Sequence, residues 1–405
     1  MDDPATDATA GFSDIQWFMY HQRNVAFFAA HTSRALSADD LLDAVHRLLT
    51  LAPQLRLGFR GAAPDRPVPD AVLRQVITIE PVATLDGFPD RWLDSGAAVF
   101  SDPALPLFRL RYAAPATPSD GRAGFVLVQV AHAVVEGADS ARLSRSQSAE
   151  HERGREEPGA RGPGPAIAAA FGAVLAGLHL VAGNLVTLRP GPYGFATRAF
   201  PRPLFRELAQ RLGVSQRALL YALAMHAIFD LEGPGKKRRI SSTYSVLDEA
   251  LGAGNDAYMR MQMRFATFPT APDFGTFVHA VEGRLKDSEA RGPGFGGTVT
   301  ARGLRAHREL SRLIRFAYTP NVFRLLPYDV VLGLIPPHRL AGGLTEALLE
   351  PIYAGAALDG ANACVIVPNR RFVTFNFYLQ QHLLPRISRL DQQLGSLIPG
   401  SSGNL

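Results

Sequence analysis

Cysteine is nearly missing from this chain of 405 residues, with Cys364 the only one. No disulfide can close within the chain, and with no Cys-x-x-Cys pair a thiolate metal site is excluded. An oxidising compartment is therefore not required. The 11 histidines are dispersed, and no His-Glu-x-x-His spacing occurs, so the sequence offers no metal set. A phosphate loop is lacking too: Gly292-Pro-Gly-Phe-Gly-Gly297 has no Lys-Ser/Thr pair after it and follows no strand, and it reads as a flexible connection. Dense charge of one sign is also absent. The net charge of +5 is spread as scattered Arg, which makes nucleic acid an unexpected partner. A mildly basic balance does suit anionic lipid or the phosphates of a carrier. Met1 to Ala10 is acidic and polar, without the basic start and apolar core of a signal peptide, so a cytoplasmic protein is expected.

What is present is core material. Hydrophobic residues make up 47% and charged residues 20%, and the length suits two or three domains of about 100–200 residues. Helix-period and strand-period segments alternate throughout, which predicts an α/β fold. Asn24 to Thr32 reads as a strand. Ser37 caps a helix, with Asp40 three residues on as a capping-box variant. Leu41, Leu42, Val45, Leu48 and Leu49 fall on one face, and Pro53 ends it. Strands are expected over 54–60, 76–80 and 107–113, with a short helix over 90–100.

Phe125 to Ala131 is an apolar run interrupted only by Gln129, the pattern of a strand covered on both faces. His132 stands at its end, Glu136 four residues on, Gly137 after it, and a helix start follows. A strand end that mounts a rigid imidazole, with a carboxylate to brace the turn, is a sensible way to hold a general base. Taken alone, the plainer reading is a strand-end His that packs, with Glu136 at the surface.

Residues 149–165 are charged and rich in Gly and Pro, and they form the best linker candidate. Residues 166–190 follow as an apolar segment. Ala166 to Leu188 lacks formal charge and is long enough to span a bilayer, where about 20 apolar residues are needed. Its many Ala and Gly, with His179, Asn184 and Thr187, favour a buried crossover helix over a membrane-surface helix, and that over a span. The expected organisation is thus an N-terminal lobe over 1–148, the linker, the crossover helix, and a C-terminal lobe over 191–405.

In the second half, helices are expected over 200–212, opened by Pro203 and stopped by Gly213, and over 216–231, capped by Ser215. Lys236, Lys237, Arg238 and Arg239 form a cationic loop, read first as solvated and second as a contact for a carrier phosphate. Strands are expected over 240–246, 259–268, 329–335 and 352–356, and helices over 274–286 and 302–316. Residues 361–367 and 371–377 read as a hairpin turned by Pro368-Asn369-Arg370. A final helix is expected over 383–397. Cys364, on a predicted strand, reads as a core residue.

Several segments together resemble a known family. They are Ser13-Asp-Ile-Gln-Trp-Phe18, Leu42-Asp-Ala-Val-His-Arg-Leu-Leu49 with Pro53-Gln-Leu-Arg56, Leu105-Pro-Leu-Phe-Arg-Leu110, Ala131-His-Ala-Val-Val-Glu-Gly137 and the C-terminal hairpin. In this order they resemble the wax ester synthase/diacylglycerol acyltransferase family. That family lies within the wider group of CoA-dependent acyltransferases related to chloramphenicol acetyltransferase and condensation domains. The resemblance is remote and covers nearly the whole chain. It implies a two-lobed α/β fold of mixed sheets flanked by helices, with an active-site tunnel between the lobes. It also implies acyl transfer from acyl-CoA, as co-substrate, to a long-chain alcohol or diacylglycerol, with no further cofactor. His132 would be the general base, with Glu136 and Gly137 as structural support of the motif. Phe108, Ala131 and Gln216 become substrate-tunnel candidates. Peripheral contact with a membrane or lipid droplet is compatible with such substrates.

The departures from the family pattern are specific. The first His of its doublet is Ala131 here, its Asp is Glu136, and Phe108 takes the place of a Trp. Its Asn-Asp pair falls near Gln216-Arg217, and its Asn-Val-Pro-Gly-Pro segment near Leu332-Gly-Leu-Ile-Pro-Pro337, which lacks the Asn. Two alternatives therefore stay open: the same fold using a carrier-protein thioester or an amine acceptor, and a non-catalytic homologue that binds acyl chains or a partner.

Overall fold

The computed structural model describes residues 20, 23–51, 55, 68–94, 96–102, 104–118, 120–134, 192–231, 238–247, 261–271, 273–290, 329–335, 347–358 and 360–397. The linker, the 166–190 segment, the turn at Glu136 and Gly137, the expected helix over 302–316 and nearly all of the expected 54–60 strand lie outside them. Leu55, the one described residue of that strand, sits in a helical turn.

Local chemistry sets the boundaries of the first half. After β1 (Val25–Thr32), helix α1 (Ala38–Leu51) opens with a reciprocal cap. The Ser37 amide donates to Asp40 Oδ2 at 2.8 Å, and the Asp40 amide donates to Ser37 Oγ at 3.1 Å. Leu41, Leu42, Val45 and Leu49 then bury one stripe of the helix. Next come α2 (Asp70–Gln75), β2 (Ile77–Val82), a 3₁₀ turn (Ala97–Phe100), β3 (Phe108–Pro115) and β4 (Gly124–Ala131). The expected helix over 90–100 is instead a turn followed by the 3₁₀ segment. Gly96, at φ 66°, interrupts it in a left-handed conformation that no helix interior accepts.

The second half begins with β5 (Tyr193–Pro201), a strand the sequence did not suggest. Helix α3 (Arg202–Leu212) therefore starts two residues later than expected. Phe200 precedes Pro201, and a residue before proline is driven to extended backbone, so it stays in the strand, which ends at Pro201. Gly213 ends α3 at φ 65°. Ser215 accepts from the Ala218 amide and starts α4 (Gln216–Ile228), in which ten residues are buried. Then follow β6 (Arg239–Leu247), β7 (Met261–Pro269), α5 (Phe274–Ala290), β8 (Val330–Leu334), β9 (Leu348–Ala357), β10 (Ala363–Pro368) and β11 (Phe372–Gln380). The C-terminal helix is shorter than expected. Pro385 lacks an amide hydrogen, so Gln381–Ile387 is 3₁₀, and α6 runs only from Ser388 to Leu397.

Two mixed sheets result. The first has the order β2-β3-β4-β1-β9 and the second β5-β11-β10-β8-β6-β7. The β2–β3 pair is parallel, as are β8–β10 and β6–β8. Chain order and sheet membership part company at β9. This strand belongs by sequence to the second half, yet it pairs antiparallel with β1 of the first sheet. The second sheet also grips it. Thr374 Oγ1 donates to the Ile352 carbonyl at 3.0 Å, and the amides of Arg370 and Arg371 donate to the Glu350 carboxylate at 3.2 and 2.9 Å. A further tie joins the halves where Asp90 accepts from the Thr197 amide and hydroxyl at 2.9 and 2.6 Å. One face of the second sheet is covered by α3 to α6 in a core that includes Phe205, Leu223, Phe277, Phe375, Phe377 and Cys364. Among the described residues, no helix is long and apolar enough to cross a membrane.

Candidate active site

His132 lies where β4 stops and the chain turns. Main-chain bonds from three segments fix the turn. The Ala131 amide donates to the Leu107 carbonyl at 2.9 Å, and the His132 amide donates to the Asn24 carbonyl at 2.8 Å. The Val134 amide returns to the Ala131 carbonyl at 3.0 Å, closing the turn. Ala131, Ala133 and Val134 are fully buried. They belong to one apolar cluster with Phe108, Ala363 and Tyr378, so this cluster runs from the turn across to the second sheet.

The imidazole shares that environment. Nδ1 is sealed from solvent, while the residue as a whole is only partly buried. Burial lowers the His132 pKa, and a hydrogen bond with its own backbone opposes the shift in part. The ring is therefore neutral around pH 7, the form that can take a proton. Cys364 lies fully buried on β10 with its thiol pKa pushed up by burial, consistent with a core residue.

The other sequence candidates divide by location. Phe108 is buried at the start of β3, opposite Val130, and Ala131 adjoins His132, so these two share the His132 end of the first sheet. Gln216 opens α4 on the second sheet, partly buried, with Nε2 sealed and without a hydrogen-bond partner among the described residues. Arg238 and Arg239 are exposed at the start of β6. Lys236, Lys237, Glu136 and Gly137 fall outside the described residues.

Sequence reasoning missed a polar network beside the turn. Asp94 Oδ1 accepts from Gln129 Nε2 and from the Gly96 amide, both at 2.7 Å. Asp94 Oδ2 accepts from Arg111 Nη1 at 2.8 Å. Arg111 also donates from Nε to Glu80 Oε1 at 2.8 Å and lies 4.5 Å over the Trp92 ring. One signal for it was legible: Gln129, the single polar residue in an otherwise apolar strand, needs a buried partner.

Comparison with solved structures finds this arrangement of sheets and helices in a known architecture. The chain has the two-lobed fold of the CoA-dependent acyltransferases. The wax ester synthase/diacylglycerol acyltransferase from Marinobacter aquaeolei is similar at TM-score 0.55 and 16% identity, over 95% of this chain and 98% of that one. The trichothecene 15-O-acetyltransferase from Fusarium sporotrichioides is similar at TM-score 0.55 and 12% identity, over 97% and 94%. Polyketide synthase associated protein 5 from Mycobacterium tuberculosis is similar at TM-score 0.55 and 12% identity, over 97% and 98%. No family model and no curated sequence matches the chain. Identities this low establish the fold, and the chemistry has to be argued from the site.

Proposed function

We propose that this protein transfers an acyl group from a thioester of CoA to a hydroxyl acceptor, a long-chain alcohol or diacylglycerol, with His132 as general base. The observation that carries the reading is a partly buried imidazole, held neutral by burial and fixed at a strand end by main-chain bonds to Asn24 and Leu107. The imidazole takes the proton of the acceptor hydroxyl as its oxygen attacks the thioester carbonyl. The C–S bond then breaks, and the imidazolium returns the proton to the leaving thiolate. The products are an ester and free CoA thiol, and no covalent enzyme intermediate is required. Rate then comes mainly from holding donor and acceptor in line at the imidazole. The similar structures named for a wax ester synthase and an O-acetyltransferase support an oxygen acceptor.

The test is thiol release from a panel of acyl-CoAs, with and without long-chain alcohol or diacylglycerol, for wild type and His132→Ala. Background from the protein is small, because its one cysteine is buried. Acceptor-dependent release that vanishes in the variant is the expected result. No release with any pair, from folded protein, overturns the lipid-ester reading.

A second reading, a carrier-protein thioester as donor, is favoured by the similarity to a polyketide synthase associated protein and by the exposed Arg238–Arg239 pair. Charge reversal at those two arginines separates the readings. It slows transfer from a carrier protein and leaves transfer from free acyl-CoA unchanged.

A further inference from the structure

The segment from Asp94 to Leu107 meets the strand that carries His132 at both of its ends. At the far end, the Leu107 carbonyl holds the Ala131 amide at 2.9 Å. At the near end, Asp94 anchors the segment to Gln129, three residues before His132 on β4, at 2.7 Å. The same carboxylate oxygen takes the Gly96 amide at 2.7 Å and so sets the tight left-handed turn there, at φ 66°.

Gly96 is pressed against the strand that carries the other support. A Cβ at position 96 would lie 2.6 Å from Val25 Cγ1 and 3.2 Å from Gln129 Nε2. Val25 faces Ala131 in the β1–β4 register, and its neighbour Asn24 supplies the carbonyl that holds the His132 amide at 2.8 Å. Asp94 is itself held by Arg111 of β3 at 2.8 Å, and Arg111 by Glu80 of β2 at 2.8 Å. Side chains from β2, β3 and β4 thus meet through one carboxylate, which fixes β4 three residues before His132 and seats Gly96 beside Val25, the neighbour of the residue that holds the His132 amide.

We infer that Asp94 is a positioning residue for His132, acting through Gln129 and Gly96 rather than on substrate. The inference rests on the proposed role of His132. A network exposed at one end and buried at the other fits this task. Arg111 and Asp94 meet near solvent, where an ion pair alone stabilises little, while Gln129 is 2% exposed and its amide has to be satisfied.

The test uses the full chain with Asp94→Ala, Asp94→Asn and Gln129→Met. Two readouts are taken: kcat and KM for acyl-CoA thiol release, and the titration of the His132 ring by NMR, assigned with His132→Ala. Asp94→Ala is expected to lower kcat about 100-fold, the scale on which a misplacement of about 1 Å acts. KM changes by less than about 2-fold, because the lost contact is not one with substrate. The His132 titration moves up toward the ordinary imidazole value as water reaches the turn. Asp94→Asn keeps an acceptor oxygen for Gly96 and Gln129 and restores most of kcat. Should Asp94→Ala not fold, Gln129→Met keeps the volume, removes one bond and gives the same pattern at smaller size. Folded Asp94→Ala or Gln129→Met protein with wild-type kcat and an unmoved His132 titration overturns the inference. The titration reads His132 directly, so it decides the matter even if wild type transfers no acyl group.

Discussion

The first sheet carries a connected polar run, Glu80–Arg111–Asp94–Gln129, from its β2 edge toward the His132 turn. The helix-covered side of the second sheet carries Phe200, Phe375, Phe377, Cys364 and Ile366 against α3 to α6. Both sheets have apolar cores, but this polar run lies beside the imidazole to which proton transfer is assigned, whereas the helix-covered core lies away from it. Apolar packing tolerates small shifts of its parts, whereas a hydrogen-bonded network fixes direction as well as distance. If that division holds, substitutions in the two regions should fail in different ways.

The largest effect is expected at His132 itself. His132→Ala should lower acceptor-dependent thiol release by about 10²–10⁴-fold, the usual range for a general base, and leave the thermal midpoint nearly unchanged. Equal losses of activity and stability would erase the distinction between the regions. The converse case is Leu223→Ala in α4, where Leu223 is fully buried. It should destabilise the protein by about 2–5 kcal/mol, seen as a lower urea midpoint, with kcat per folded molecule unchanged.

A third measurement asks whether the first sheet reports its buried imidazoles to solvent pH. His31 on β1 is buried against Phe125, with ring centroids 5.0 Å apart. Burial first and the Arg122 charge second lower its pKa to about 4, with a backbone hydrogen bond at Gly124 working the other way. The unfolded imidazole titrates near its ordinary value of about 6.5, so between these values the unfolded chain binds more protons. Stability should therefore be fully present above about pH 6.5 and fall by roughly 3 kcal/mol as pH drops to about 4. Lowered in the same sense, His132 adds to the slope. Urea midpoints from pH 7 to 4 should show a shallower slope in His31→Phe than in wild type, and identical slopes would remove His31 from the account.

The smallest effect is expected far from both regions. Ser37→Ala removes the hydroxyl that caps α1 and should cost about 1 kcal/mol, with no change in the His132 titration.

Much of this arrangement was legible because it is local. The Ser37–Asp40 cap, the Gly213 stop and the apolar run of β4 with His132 at its end each lie within a few residues of their cause. β5 was not legible. Tyr193, Phe195 and Thr197 alternate with Gly194, Ala196 and Arg198, but the small residues hide the period, and Gly194 is small because Leu384 lies 2.7 Å from where its Cβ would be. The Asp94–Gln129 contact spans 35 residues. Each partner shows locally only a polar residue that needs company, and nothing in the spacing names the other. The pairing of β9 with β1 is remoter still, since it depends on how the second half folds back.

That lent strand governs how the protein can be divided. A polypeptide ending anywhere before Leu348 would leave β1 with a bare edge, a row of unmet amides and carbonyls beside Phe27 and Ala29 that invites another chain to add on. A polypeptide holding only the second half would carry β9 with no partner for its other side. The two lobes are therefore neither separable modules nor candidates for independent exchange by recombination. A gene split between them should yield soluble protein only when both pieces are made together and β9 finds β1 across the break.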